Sequence, residues 1–239
     1  MMRLMRPPML TIPRRGSSLF RTMKEILEPL VRSPRLFQYL AELEALARDE
    51  KARRERFYAE VTPDAKWEFI NGEVIMHSPA SAQHVRVRER LARLIGTYVD
   101  SHNLGWAGGE KAMVACTRND YEPDIIFLAA EKARALTPDQ WKFPVPDFVL
   151  EVLSDSTQSR DRGVKFADYA AHGVGEYWIV DPTAETIEQY LLGADGNFQL
   201  AAKQRDGSIS SRAIRGFVLP LRAAFDDQEN LRALWAMKP

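Results

Sequence analysis

The sequence predicts one α/β domain over about residues 36–226, and three features carry that expectation. Short apolar-rich runs bounded by turn residues recur between Trp67 and Leu221. Between them lie stretches whose apolar residues repeat every three or four positions, the period of a helix with one buried face. The run Tyr177-Trp178-Ile179-Val180, closed by Asp181-Pro182, is apolar throughout, as suits a strand covered on both faces. With 239 residues, 45% hydrophobic and 28% charged, the chain can bury a sizeable core and is neither collagen-like nor disordered. A single cysteine, Cys116, rules out an internal disulfide and makes the cytoplasm the expected location. No run approaches the ~18 apolar residues of a membrane-spanning helix.

The elements follow in order. Residues 1–35 hold eight basic and two acidic side chains, several prolines and Gly16-Ser17-Ser18, and are expected to be a basic, disordered extension. From Leu36 to about Tyr58, the residues Phe37, Leu40, Leu43, Leu46 and Ala47 follow a helical period. Trp67–Ile70 and Glu73–Met76 flank Asn71-Gly72, a pair favoured in two-residue hairpins because both positions need positive φ. Ser81 is placed to cap a helix to about Tyr98, with the stripe Val85, Leu91, Leu94, Ile95 and Tyr98. Strands are expected over 111–117, 124–128 and 148–153. A short helix is expected to start at Thr137-Pro138-Asp139, where Thr can cap and Pro fits the first turn. A helix over 159–171 ends before Gly173. Antiparallel strands over 187–192, 198–202 and 213–221 close the domain, leaving 227–239 as a short tail.

Charge and motif content narrow the chemistry. With 33 basic and 33 acidic residues, the chain is not a protein that coats nucleic acid by charge alone. It has no Gly-x-x-x-x-Gly-Lys-Ser/Thr loop, no Gly-x-Gly-x-x-Gly and no Gly-x-Ser-x-Gly. His77, His84, His102 and His172 form no zinc spacing with Cys116. Arg86, Arg88, Arg90 and Arg93 read as the solvated face of their helix and, with Arg160 and Arg162, as candidate phosphate contacts.

Glu151 is the most informative residue, because it interrupts the core-like run Phe148-Val149-Leu150-Glu151-Val152-Leu153. A carboxylate there must be paired, protonated or bound to a cation. Taken alone, a Lys or Arg partner explains it as well as a metal does. Of four Pro-Asp pairs, Pro123-Asp124 opens the separate strand Ile125–Leu128. If that strand runs antiparallel beside the Glu151 strand, Asp124 and Glu151 meet at one sheet edge. Asp147 instead lies about 13 Å along the strand of Glu151, too far to share one ion with it. Two hard oxygen ligands on rigid strands suit Mg²⁺, which takes the rest of its shell from water and phosphate. Lys165, on the following helix, would steady a pentavalent phosphorane, with Tyr169 one turn on along the same face. A surface pair between Lys165 and Asp161 at i−4 is the competing reading.

The ordered set Trp67-Glu68-Phe69-Ile70-Asn71-Gly72-Glu73, His84, Pro123-Asp124-Ile125, Glu151-Val152-Leu153-Ser154, Asp161 to Tyr169 and Gly175-Glu176-Tyr177-Trp178-Ile179-Val180-Asp181-Pro182 resembles the Uma2 family. That family is of restriction-endonuclease-like proteins within the PD-(D/E)xK nuclease superfamily, and the resemblance covers about residues 55–226. It implies a mixed central sheet flanked by helices and cleavage of DNA that needs Mg²⁺ or Mn²⁺. Asp124 and Glu151 match the two metal-binding acids, and Lys165 matches a lysine moved to the next helix, since Leu153 stands at the superfamily's lysine position. Glu73 and His84 match further family positions, as accessory contacts to metal or phosphate, and a homodimer is a common arrangement. Asp181 reads best as a residue that closes its strand. Two other functions stay open: a catalytically silent DNA-binding or assembly module on the same fold, and hydrolysis of another phosphoester.

Overall fold

The computed structural model describes residues 23–62 and 64–237. The chain divides into two units, residues 1–51 and 52–239. In the first, helix α1 (Met23–Val31) precedes the start of helix α2 (Leu36–Glu60). Part of the stretch expected as a disordered extension is therefore helical, because Leu27, Leu30 and Val31 recur at helical spacing. Residues 1–22 lie outside the described residues.

The second unit carries two main sheets. A five-stranded sheet has the order β2-β1-β5-β4-β7, made of β1 (Trp67–Ile70), β2 (Glu73–Met76), β4 (Met113–Ala115), β5 (Asp120–Tyr121) and β7 (Lys142–Phe143). The six-stranded sheet has the order β11-β10-β9-β8-β6-β3. Its strands are β3 (Gly105–Gly108), β6 (Ile125–Ala129), β8 (Phe148–Val152), β9 (Glu176–Asp181), β10 (Thr186–Leu192) and β11 (Phe198–Gln204). It is mixed: β8 and β9 run parallel, and the other neighbours antiparallel. The β1–β2 hairpin turns at Asn71 and Gly72, both with positive φ (51° and 85°).

Helix α3 (Ala82–Ser101) covers one face of the large sheet, and its Ser81 cap accepts the His84 backbone N–H. Leu91, Leu94 and Ile95 pack there with Phe127, Phe148, Leu150, Val152 and Trp178. Strand alternation sends Ile126, Val149, Tyr177 and Ile179 to the opposite face, against Tyr169. Glu151 shares that second face by the same alternation.

Four expectations are corrected. Thr137-Pro138-Asp139 forms a turn closed by Gln140 N–H on the Thr137 carbonyl, and the short helix nearby is α4 (Ala130–Ala133). Two residues after this turn the chain enters β7 and pairs with β4, which leaves no length for a helix. The helix expected over 159–171 is broken into α5 (Gln158–Asp161) and α6 (Val164–Ala171) at Gly163. A Cβ at Gly163 would lie 2.6 Å from the Ser159 carbonyl oxygen, so the sharp junction requires glycine. Residues 213–221 hold only a short strand, β13 (Val218–Pro220), paired with β12 (Ser208–Ser210). The expected tail contains helix α7 (Asp227–Ala236), capped by Asp226 and tied to α3 by Arg90 on Asp227 and by Asn230 on the Arg90 carbonyl. Arg90 is thereby a buried structural side chain.

Two measurements test these contacts. Trp178, fully buried between α3 and the sheet, should cost about 3–5 kcal/mol when replaced by Ala, read by chemical denaturation. Glu188 accepts from Arg162 (2.7 and 3.1 Å), Tyr190 (2.7 Å) and Lys203 (2.8 Å). Burial alone would raise its pKa, but these donors hold it down to about 2. The stabilisation is therefore complete above the ordinary glutamate range and fades as pH falls toward 2. Glu188→Gln should lose on the order of 1 kcal/mol at pH 7, with the difference from wild type vanishing at the acid end.

Candidate active site

The site forms where β6 begins and β8 ends. Register pairs Ile125 with Leu150, which sets Asp124 across from Glu151 on the same face of the sheet. The backbone locks the pair: Asp124 N–H donates to Glu151 Oε2 (3.3 Å), and Val152 N–H donates to Asp124 Oδ2 (2.8 Å). Both carboxylates are 3% exposed.

Lys165 enters from α6, one turn before Tyr169. Its Nζ lies 2.9 Å from Glu151 Oε1, 2.9 Å from Glu68 Oε1 and 3.4 Å from Asp161 Oδ1, and the side chain is 2% exposed. Tyr169 donates to Glu151 Oε1 at 3.2 Å. The Asp161 partnership expected from spacing exists, but in the interior and shared among three carboxylates. On the other side, Asp124 Oδ1 meets Lys66 Nζ (3.2 Å) and His84 Nε2 (3.3 Å). Glu68 is held from below by His77 Nε2 on Oε2 (2.9 Å) and by the Glu122 backbone N–H on Oε1 (3.0 Å).

Asp124, Glu151, Lys165, Tyr169 and His84 are thus brought together, and Glu73 is not. Glu73 is exposed at the turn end of the hairpin, and no hydrogen bond or ion pair joins it to the cluster among the described residues. The acidic residue of that hairpin in the cluster is Glu68, whose sequence signal was a charge inside the apolar run Trp67–Ile70. Lys66 was not foreseen either, since a lysine before a strand carries no distinctive pattern. Asp181 accepts the Thr183 and Ala184 N–H groups, as a strand-closing turn residue does. Arg162 is bound to Glu188 and Arg88 to Glu110, so neither is an uncommitted phosphate contact.

The electrostatics follow from crowding. Burial pushes Lys165 down, yet Glu151, Glu68 and Asp161 together hold it well above the ordinary lysine range. Burial would raise Glu68, but Lys165 and His77 bring it down to about 2. Asp124 is likewise lowered against the effect of burial, by His84, Lys66 and the Val152 N–H. Glu151 goes the other way: burial, with repulsion from Asp161, Asp124 and Glu68, outweighs Lys165 and pushes it up to about 8. Once Glu151 and Asp161 are both ionised, four carboxylates against two ammonium groups leave an excess of two negative charges, which a divalent cation would balance. Asp124 and Glu151 offer hard oxygen donors fixed by backbone bonds, the ligand chemistry Mg²⁺ and Mn²⁺ prefer.

A second group, Cys116, Asp168 and His172, brings its ligand atoms within 4.8 Å of one another, which sequence spacing had hidden. Two features bear on its ion chemistry. Burial pushes the Cys116 thiol up to about 12, and Asp168 Oδ2 already accepts from Asn119 and Tyr121.

The raised Glu151 gives a pH signature. Between the ordinary glutamate range and about pH 8 the folded protein keeps a proton that the unfolded chain releases, so stability falls as pH rises through that window. Glu151→Gln cannot ionise, and Lys165 retains Glu68 and Asp161. In chelator its melting temperature should exceed that of the wild type at pH 8, with the gap closing as pH falls to 4.

The sequence profile of a family described as "Uma2: Putative restriction endonuclease" matches residues 53–222. Two uncharacterised proteins of Synechocystis sp. are similar in sequence. One is 26% identical over 151 residues, covering 62% of this chain and 78% of the relative. The other is 28% identical over 137 residues, covering 56% and 77%. A crystal structure from Anabaena variabilis, described as a "putative nuclease belonging to DUF820", superposes with a TM-score of 0.62 at 16% identity over 72% of this chain and 96% of that one. That likeness extends to the fold: mixed sheets flanked by helices. With the family profile spanning the sheets, helices α3 to α6 and every residue of the acidic cluster, the chain belongs to the Uma2 family of restriction-endonuclease-like proteins.

Proposed function

We propose that this protein is a metal-dependent endonuclease that hydrolyses phosphodiester bonds in DNA. The observation that carries the reading is the meeting of Asp124 and Glu151 across two antiparallel strands with the Lys165 ammonium 2.9 Å from Glu151. Asp124 and Glu151 would hold Mg²⁺ or Mn²⁺. Bound there, the ion would supply Lewis-acid stabilisation of the phosphate and lower the pKa of an attacking water.

The chain's own groups do the rest. His84 and Lys66 fix Asp124 in its ionised form, and the Val152 N–H fixes its orientation. Lys165 holds Glu151 in place and would bring positive charge toward the phosphoryl oxygens, where negative charge develops. Lys66, a quarter exposed, and His84 form the side of the cluster nearest solvent, where a phosphate would approach. Among the described residues no helix is long and apolar enough to cross a membrane.

A silent binding module on the same fold is the second reading. One observation favours it: Lys165 is bound to three carboxylates and almost wholly buried, as in a purely structural ion network. Incubation of the purified chain with supercoiled and linear DNA in Mg²⁺ and Mn²⁺ separates the two. The nuclease reading expects cleavage that chelator stops and that falls about 100-fold or more in Asp124→Asn, Glu151→Gln and Lys165→Met. DNA left whole in either metal, with salt-dependent binding retained, would establish the silent module instead.

A further inference from the structure

Beside the acidic cluster lies a cavity of about 690 Å³ that the chemistry above does not use. Its lining includes Tyr58, Trp106, Lys111, Glu122, Trp141 and Phe143. Trp106 and Phe143 stack with centroids 5.0 Å apart and planes 13° apart, while Trp141 meets Tyr58 edge-on at 5.7 Å. The cavity therefore has aromatic walls. It also has one buried polar group without a partner among the described residues: Glu122 is 3% exposed, and its Oε2 accepts no hydrogen bond from them. Native proteins rarely leave a buried carboxylate oxygen so, unless a ligand completes it. Burial pushes the Glu122 carboxyl up to about 7, and the positive charge of Lys111, which lines the same space, works against that rise and favours the carboxylate.

The cavity backs directly onto the cluster. Glu122 stands two residues before Asp124, and its backbone N–H is bonded to Glu68. Gly109, another lining residue, lies so close to the Asp124 backbone that a Cβ would sit 2.0 Å from its carbonyl oxygen.

We propose that this cavity receives a nucleobase unstacked from the nucleic acid, with the ring against the aromatic walls and its N–H edge donating to Glu122. The inference rests on the nuclease reading and extends it to the form of the substrate. Extruded bases are gripped in this way by stacking and by bonds to the Watson–Crick edge. Glu122 beside Lys111 offers an acceptor next to a donor. Guanine matches both, since its N1–H and N2–H donate and its O6 accepts. Thymine fits worst, because its single N–H lies between two carbonyl oxygens that would face a carboxylate.

Titration of the full chain in chelator with guanosine and thymidine, followed by tryptophan fluorescence and calorimetry, tests the cavity without cleavage chemistry. Guanosine should saturate the site and thymidine should bind at least tenfold more weakly. Glu122→Gln, which keeps the side-chain volume, and Trp141→Ala, which removes a part-exposed ring, should each weaken guanosine at least fivefold. In a DNA duplex with 2-aminopurine beside a guanine, binding should raise the probe's emission as that guanine leaves the stack. Equal binding of both nucleosides, no binding, or binding unmoved by both variants would overturn the proposal. Cleavage without guanosine binding overturns the cavity and leaves the nuclease reading intact, whereas guanosine binding without cleavage supports the cavity and overturns the nuclease reading.

Discussion

A single buried ammonium organises the centre of this protein. Lys165 can leave water because Glu68, Glu151 and Asp161 surround it, and its charge in turn offsets the cost of burying them. Removing the ammonium from such a group typically costs about 3–5 kcal/mol, since the remaining carboxylates stay buried and uncompensated. The three acids come from β1, β8 and α5, and the lysine from α6. Register on β8, the hairpin that carries β1 and the break at Gly163 must therefore all be correct together. The site and the fold constrain one another through this contact.

Two buried glutamates show why burial alone does not mark function. Glu176, fully buried on β9, accepts from the Trp178 indole, Gln189, Ser211 and the backbone N–H groups of Arg212 and Ala213. Those are neutral donors from the chain itself, and they bind the end of the large sheet to the 211–214 loop. Glu151 is equally buried but takes its bonds from an ammonium, a phenol and one long backbone contact, among other carboxylates. The first is a structural anchor with its lone pairs used. The second remains electrostatically strained, and that strain is what a cation would relieve.

Much of the architecture is legible locally. The Asn71-Gly72 hairpin, the Ser81 cap and the apolar runs of β6, β8 and β9 follow from turn chemistry and side-chain period. The Asp124–Glu151 meeting required one further assumption, that β6 and β8 are antiparallel neighbours, and their pairing is of that kind. The misread segments are those where a competing contact decides. Pairing of β7 with β4 leaves no length for a helix after Thr137, and packing on α3 turns an expected tail into α7. Glu73 and Glu68 show the same limit within one hairpin: both are acids on β-strands, but Glu68 lies on the inner strand β1 and is buried, while Glu73 lies on β2 at the edge of the sheet and is exposed.

By itself the sequence determined the element types, the paired acids at the ends of two strands and a lysine positioned one turn from a tyrosine. Those are properties of spacing, and spacing is written along the chain. Tertiary structure alone decided that Lys66, Glu68, His77 and Asp161 join them, that Arg90 is buried, and that Glu122 faces an aromatic cavity. Each of these depends on how separate elements approach in space, where the cost of an unpaired buried charge selects partners that no local pattern encodes.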